Sequence, residues 1–290
     1  MCNQTLNYPD DVMPQHQTKQ PGEETQMNPQ PIFDNPNYKG TGRLKDKAAI
    51  ITGGDSGIGK AVALAYAKEG ANIVIVYLNE HKDAEDTKRL IEGSGVKCQL
   101  ISGNVGDASF CKQVVDMTIK NFGRIDILVN NAAEQHPQKC LADISDQQLQ
   151  GTFATNIFSV FYLTREALPY LKENSVIINT SSITAFAGDK ELIDYSATKG
   201  AITAFTRSLA LSLADKNIRV NCVAPGPTWT PLIPSSFDAQ KVGQFGENTP
   251  LKRPAQPAEL AEAYLFLAAD GATYITGQTI HVNGGRIVNC

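Results

Sequence analysis

Thr52-Gly53-Gly54-Asp55-Ser56-Gly57-Ile58-Gly59 is the stretch that decides the fold. It follows a short apolar run, Ala48–Thr52. It opens a helical pattern lasting to about Glu69, with Ala61, Leu64, Ala65 and Lys68 spaced for one face. Glycines between a strand and a helix let the backbone turn tightly and approach a pyrophosphate, which then sits on the helix N-terminus. A glycine-rich loop alone is a weak signal. Here a strand precedes it and a helix follows, which favours a dinucleotide-binding loop over a simple tight turn.

The same rhythm continues downstream. Ile73–Leu78 is continuously apolar, and His81–Glu92 is charged and helical. Gln99–Ser102, Ile127–Asn130, Val176–Thr180 and Arg219–Val223 are further short runs separated by helix-length segments. Apolar, β-branched runs alternating with helices imply a parallel sheet covered on both faces. The expected fold is α/β: a Rossmann-type doubly wound parallel sheet of about seven strands, helices on both faces, and right-handed crossovers.

Residues 1–43 read differently. They hold six of the 15 prolines, six glutamines and only ten apolar residues, with no helical or strand period. Such a segment cannot bury a core of its own. It reads either as a disordered tail or as an ordered arm lying extended across the body or a neighbouring subunit. Met13, Met27, Ile32, Phe33 and Tyr38 are its candidate anchors. A chain of 290 residues suggests about two domains from length alone. The composition suggests instead a Pro/Gln-rich arm, 1–43, and one catalytic domain, 44–290.

Thirty acidic residues against 26 basic give a formal charge of −4, which argues against a nucleic-acid partner. No stretch approaches the ~18 uninterrupted apolar residues of a membrane span. No basic segment followed by an apolar one marks a signal peptide. A cytoplasmic protein without a membrane partner is expected. Cysteines 2, 98, 111, 140, 222 and 290 include no C-x-x-C pair, and His16, His81, His136 and His281 are scattered. No metal site is expected.

The spacing Gly53, Gly57, Gly59 is G-x-x-x-G-x-G, and other short motifs follow in order. They are Asn130-Asn131-Ala132-Ala133, Ser182 thirteen residues before Tyr195, Tyr195-Ser-Ala-Thr-Lys199, Pro225-Gly226 and Val282-Asn-Gly-Gly285. With these, residues 44–286 resemble the short-chain dehydrogenase/reductase family, in its compact single-domain branch. The arm adds a resemblance to a bacterial subgroup named for general dehydrogenases, aldehyde reductases or glucose/ribitol dehydrogenases. Ala133 stands where the family's N-N-A-G element has glycine.

Tyr195 and Lys199 lie four apart, hence on one face of a helix. A nearby ammonium favours phenolate and lowers the pKa of about 10 of a free phenol. Tyr195 can then take or give the proton at an alcohol or carbonyl, with Ser182 hydrogen-bonding the oxygen where charge develops. The resemblance implies that Lys199 also holds the nicotinamide ribose and that Asn156, at a helix bend, supports a proton relay. It further implies cofactor contacts from Gly53, Asp55, Ser56, Gly57, Ile58, Gly59, Tyr77, Asn104, Val105, Asn131, Ala132, Tyr195, Lys199, Pro225, Gly226 and Thr230.

Tyr77 occupies the place of the acid that holds the adenosine ribose of NAD, with Glu80 three residues on. Asn104 stands where relatives carry Asp, and its carbonyl can still accept from adenine. Asp55 and Ser56 offer a 2′-phosphate little positive charge, so NAD is expected ahead of NADP. The segment Pro231–Pro250 reads as a lid, and Trp229 and Phe237 as pocket wall or lid packing. The helix over Tyr195–Ala214 is apolar around much of its girth, so a second face needs a partner. The resemblance implies that it builds subunit interfaces: a homotetramer is expected, with a dimer as the alternative. The expected activity is hydride transfer between the nicotinamide and an alcohol/carbonyl substrate. The rivals are a sugar epimerase or dehydratase and a dinucleotide-sensing scaffold without turnover.

Overall fold

A computed structural model describes residues 8–288. Cys2, Cys290 and the first seven residues of the arm lie outside the described residues. Seven strands form one parallel sheet in the order β3-β2-β1-β4-β5-β6-β7. They are β1 (Ala48–Thr52), β2 (Asn72–Tyr77), β3 (Cys98–Ser102), β4 (Ile127–Asn130), β5 (Val176–Thr180), β6 (Arg219–Pro225) and β7 (Thr279–Val282).

The continuous apolar runs follow from burial on both faces, because successive strand residues point to opposite sides. Ile51, Ile73, Ile75, Val129 and Ile178 pack on the face covered by α1 (Gly57–Lys68), α2 (His81–Glu92) and α9 (Pro257–Ala268). Ile50, Val74, Val76, Leu128 and Ile177 pack on the other, with α3 (Ala108–Phe122), α5 (Ser159–Ala167) and α7 (Ile193–Leu213). Asp107 accepts a hydrogen bond from the Ser109 N–H to start α3, and Gly123 ends it at φ +71°. Pro257 and the Gln256–Glu259 capping box start α9.

Several boundaries differ from expectation. β6 runs two residues further, through Pro225, and β2 stops at Tyr77. β7 has no apolar run to announce it, because all four of its residues are only half-buried at the sheet edge. The lid contains a short helix, α8 (Ala239–Gly243), started by Asp238 accepting from the Lys241 N–H. The remaining helices are α4 (Asp146–Phe153) and α6 (Thr184–Ala187).

From residue 8 onward the arm lies against the body, with a single 3₁₀ turn at Glu24–Gln26. Met27 and Val12 are buried with Trp229, Ile233 and Phe237, while Phe33 and Tyr38 pack against the core under α1. Met13 is 58% exposed and is not an anchor. Ile32 is held by its backbone: its N–H donates to Gln256 Oε1 and its carbonyl accepts from the Ala258 N–H. At the end of α1, buried Glu69 accepts from Tyr38 Oη, the Thr41 and Arg43 N–H groups and Arg43 Nε. Those donors hold its carboxyl down at about 2 against its desolvation.

Candidate active site

The strand order reverses between β1 and β4, so the loops leaving their C-terminal ends part and open a crevice. That crevice is a cavity of about 780 Å³ bounded by the segments after β1, β4, β5 and β6. At the β1 loop, Gly57 sits at φ +52°, and a Cβ there would stand 3.0 Å from Thr230 Cγ2. A Cβ on Gly59 would come within 1.9 Å of the Gly53 carbonyl oxygen, so this crossing closes only on glycine. Thr52 Oγ1 accepts from the N–H groups of Asn131 and Ala132, and Asn131 Nδ2 donates to the Thr52 and Gly53 carbonyls. The β4 loop is thereby stapled to the glycine loop.

The same turn is held from the arm. The Gly57 N–H donates to Glu24 Oε2 at 2.8 Å, and Lys60 Nζ meets Glu24 Oε1 at 2.5 Å. Glu24 is buried, and burial raises its pKa against the pull of Lys60.

Asp55, Tyr77 and Glu80 form one end of the cleft. Burial pushes the Asp55 carboxyl up to about 7, and the neighbouring charge of Glu80 adds to the effect. Glu80 Oε1 is buried without a hydrogen-bond partner. Tyr77 Oη is paired with His81 Nδ1 at 2.9 Å. Asn104 Oδ1 accepts from the Gly106 N–H at 2.8 Å, closing an Asx turn, with Val105 beside it.

Ser182, Tyr195 and Lys199 line the other end. Tyr195 and Lys199 project from consecutive turns of α7, and Lys199 Nζ lies 5.4 Å from the Tyr195 ring centre. Lys199 Nζ donates to the Thr180 carbonyl at 2.9 Å. Contrary to the expectation that the Lys199 ammonium lowers it, the Tyr195 phenol is pushed up to about 12 by burial, opposed by a hydrogen bond with Ser182, and burial lowers Lys199 to about 8.

The expected bend at Asn156 is a π turn, Ala154–Phe158, between α4 and α5. Asn156 stands behind the cleft wall rather than in it. Its Oδ1 accepts from the Glu134 N–H at 2.8 Å, and its Nδ2 donates to the Glu134 carbonyl at 2.9 Å and to Thr198 Oγ1 at 3.2 Å.

Of the sequence candidates, Gly53, Asp55, Ser56, Gly57, Ile58, Tyr77, Asn104, Val105, Asn131, Ala132, Ser182, Tyr195, Lys199, Pro225, Gly226 and Thr230 all border the cleft. Gly59 does not; it shapes the loop from behind. Trp229 packs the arm and lid, with Nε1 donating to the Pro29 carbonyl, whereas Phe237 reaches the cleft. The sequence reading missed Gln20, Pro21 and Gly22, which come from an arm without pattern, and Gln135 and Lys241, which no motif marks. Glycines that only a bare backbone can occupy, and an orphaned carboxylate oxygen beside Asp55, fit a nicotinamide dinucleotide in this cleft.

A family model described as enoyl-(acyl carrier protein) reductase matches residues 53–286. The Bacillus subtilis (strain 168) protein named uncharacterized oxidoreductase YhdF is 61% identical over 276 residues, 95% of this chain and 96% of its own. The Arabidopsis thaliana protein named NADPH-dependent aldehyde reductase 1, chloroplastic, is 49% identical over 282 residues, 95% and 98% of the two chains. A crystal structure titled short-chain dehydrogenase/reductase SDR: glucose/ribitol dehydrogenase from Brucella melitensis superposes with a TM-score of 0.79. It is 34% identical and covers 87% of this chain and 100% of its own. The fold and cleft are those of an oxidoreductase of the nicotinamide-dinucleotide class. The chain belongs to the short-chain dehydrogenase/reductase family.

Proposed function

We propose that this protein transfers hydride between a nicotinamide dinucleotide and a small alcohol/carbonyl substrate, an aldehyde, ketone or sugar. The observation that carries the reading is the convergence of Ser182, Tyr195 and Lys199 at the end of the cleft opposite Asp55 and Glu80. The bound nicotinamide supplies the hydride acceptor or donor. Tyr195 exchanges the proton with the substrate oxygen, and Ser182 hydrogen-bonds that oxygen. The Lys199 ammonium together with the oxidised nicotinamide's positive charge would favour phenolate on Tyr195 against its burial. Asn156 holds the backbone beside them. Gly53, Ser56 and Ile58 would hold the diphosphate on the α1 N-terminus, beside Gly57, whose N–H is given to Glu24, and Thr230 and Pro225–Gly226 the nicotinamide end.

NAD is the preferred form in this reading. Two carboxylates, Asp55 and Glu80, offer acceptors to ribose hydroxyls and repel a 2′-phosphate. Gln135, Glu191 and Lys241, beside Leu192 and Phe237, give the substrate wall hydrogen-bonding groups with an apolar strip, which suits a hydroxylated substrate. The same reading makes residues 44–290 one catalytic domain with 1–43 as its arm, in a cytoplasmic homotetramer. Among the described residues, no helix is long and apolar enough to cross a membrane.

The test is a panel of alcohols and carbonyls run with NAD and with NADP, on wild type and Tyr195→Phe. Tyr195→Phe is expected to lose at least about a hundredfold in turnover, within the range for a general acid–base group, while keeping dinucleotide affinity within about twofold. Full turnover in the variant would overturn the role given to Tyr195.

A further inference from the structure

We infer that Gln20 of the N-terminal arm is a positioning residue of the active site, building the substrate wall from outside the catalytic body. The inference rests on the hydride-transfer reading above.

Its basis is a pair of side-chain amides acting on two successive residues of the loop after β4. Asn156, from the π turn, brackets Glu134 by accepting from its N–H and donating to its carbonyl. Gln20 does the same to the next residue. Its Oε1 accepts from the Gln135 N–H at 2.9 Å, and its Nε2 donates to the Gln135 carbonyl at 3.0 Å. Gln135 is 4% exposed, so without Gln20 its N–H would be orphaned and its carbonyl left with only the 3.4 Å contact from Ser236 Oγ. The segment would then shift to recover partners. Glu134 and Gln135 line the same cleft as Ser182 and Tyr195, so any such shift moves the substrate wall.

The arm is also fitted to the lid beside this clamp. The Gln17 N–H donates to the Pro234 carbonyl at 2.7 Å. Gly22 lies so close to the lid that a Cβ would stand 2.5 Å from the Pro231 carbonyl oxygen. Ser236 Oγ, from the lid, reaches the Gln135 carbonyl at 3.4 Å. Gln135 is thus where arm, lid and β4 loop meet. Gln20, Pro21 and Gly22 themselves border the cleft.

Gln20 gives both of its amide hydrogen bonds to the loop after β4 rather than to the glycine loop that would carry the diphosphate, and this sets the experiment. Full-length wild type, Gln20→Ala and Tyr38→Phe are compared. Tyr38 holds the arm at the far end of α1 and touches nothing in the cleft. Gln20→Ala is expected to raise KM for the best substrate of the panel about tenfold, the equivalent of one lost buried hydrogen bond. Its kcat should change less than about threefold and its dinucleotide Kd less than about twofold. Amide exchange at Gln135 should accelerate. Tyr38→Phe should lower thermal stability and leave KM unchanged, separating positioning from loss of fold. An unchanged KM in Gln20→Ala, or the same KM rise in Tyr38→Phe, overturns the inference. If wild type turns over nothing in the panel, the activity reading falls instead. Exchange at Gln135 then decides the clamp alone: acceleration in Gln20→Ala supports it, and an unchanged rate overturns it.

Discussion

Asp55 carries the clearest consequence at the scale of a single residue. Its carboxyl is held at about 7, so it is neutral below that pH and anionic above it. An anion there repels a 2′-phosphate and accepts more strongly from ribose hydroxyls. Preference for NAD over NADP, read as a ratio of Kd values, should therefore rise about tenfold between pH 6 and pH 8. Asp55→Asn should abolish the rise. A ratio that stays flat in wild type would remove Asp55 from cofactor choice. Glu69 makes the opposite case. Its folded pKa, about 2, lies below the ordinary carboxylate value of about 4.5. Its contribution to stability is therefore complete above pH 4.5 and lost as pH falls towards 2. Glu69→Gln should cost about 2–3 kcal/mol at pH 7 in urea unfolding, since it weakens charge-assisted hydrogen bonds to a buried group. It should also flatten the acid limb between pH 4.5 and 2. An unchanged limb would show that other carboxylates govern acid unfolding.

Among the elements, the turn from β1 into α1 is the least tolerant. A methyl group at Gly59 would overlap the Gly53 carbonyl at 1.9 Å, and backbone on both sides leaves nothing flexible to yield. Gly59→Ala should weaken dinucleotide binding by at least about tenfold in calorimetry, while far-UV circular dichroism keeps the sheet and helices. Wild-type affinity in that variant would mean that the loop can re-form around a side chain. This turn was legible in the sequence because strand, glycines and helix are local and must occur in order. β1, β2, β4 and β5 were legible for a related reason: burial on both faces demands unbroken apolar runs. β7 was not, because an edge strand of half-buried residues leaves no such run. Gln20 was not legible either. Its function comes from an amide meeting a backbone 115 residues away, and neither partner belongs to a periodic pattern.

For the whole molecule, the helical flank formed by α4, α5 and α7 poses a question of association. Phe161 on α5 is half exposed and packs against Phe205 of α7, ring centres 4.4 Å apart and planes tilted by 52°. Phe158 in the π turn and Leu149 on α4 are also exposed, and Leu211 on α7 is 83% exposed. One face of α7 is spent on the sheet through Ala210 and Leu213, and Ile202 and Phe205 pack on α5 and the π turn, which leaves Phe158, Phe161 and Leu211 exposed among the described residues. An exposed apolar surface shared by two helices is the kind that associates. The proposed homotetramer would bury it. Phe161→Glu places an anion at the centre of that patch, where desolvation is costly, while leaving the cleft residues untouched. Sedimentation velocity should show wild type at tetramer mass and Phe161→Glu shifted to dimer or monomer, with dinucleotide affinity within about twofold of wild type. A wild type that sediments as a monomer would remove the homotetramer from the proposal. A variant that remains tetrameric would place the interface elsewhere.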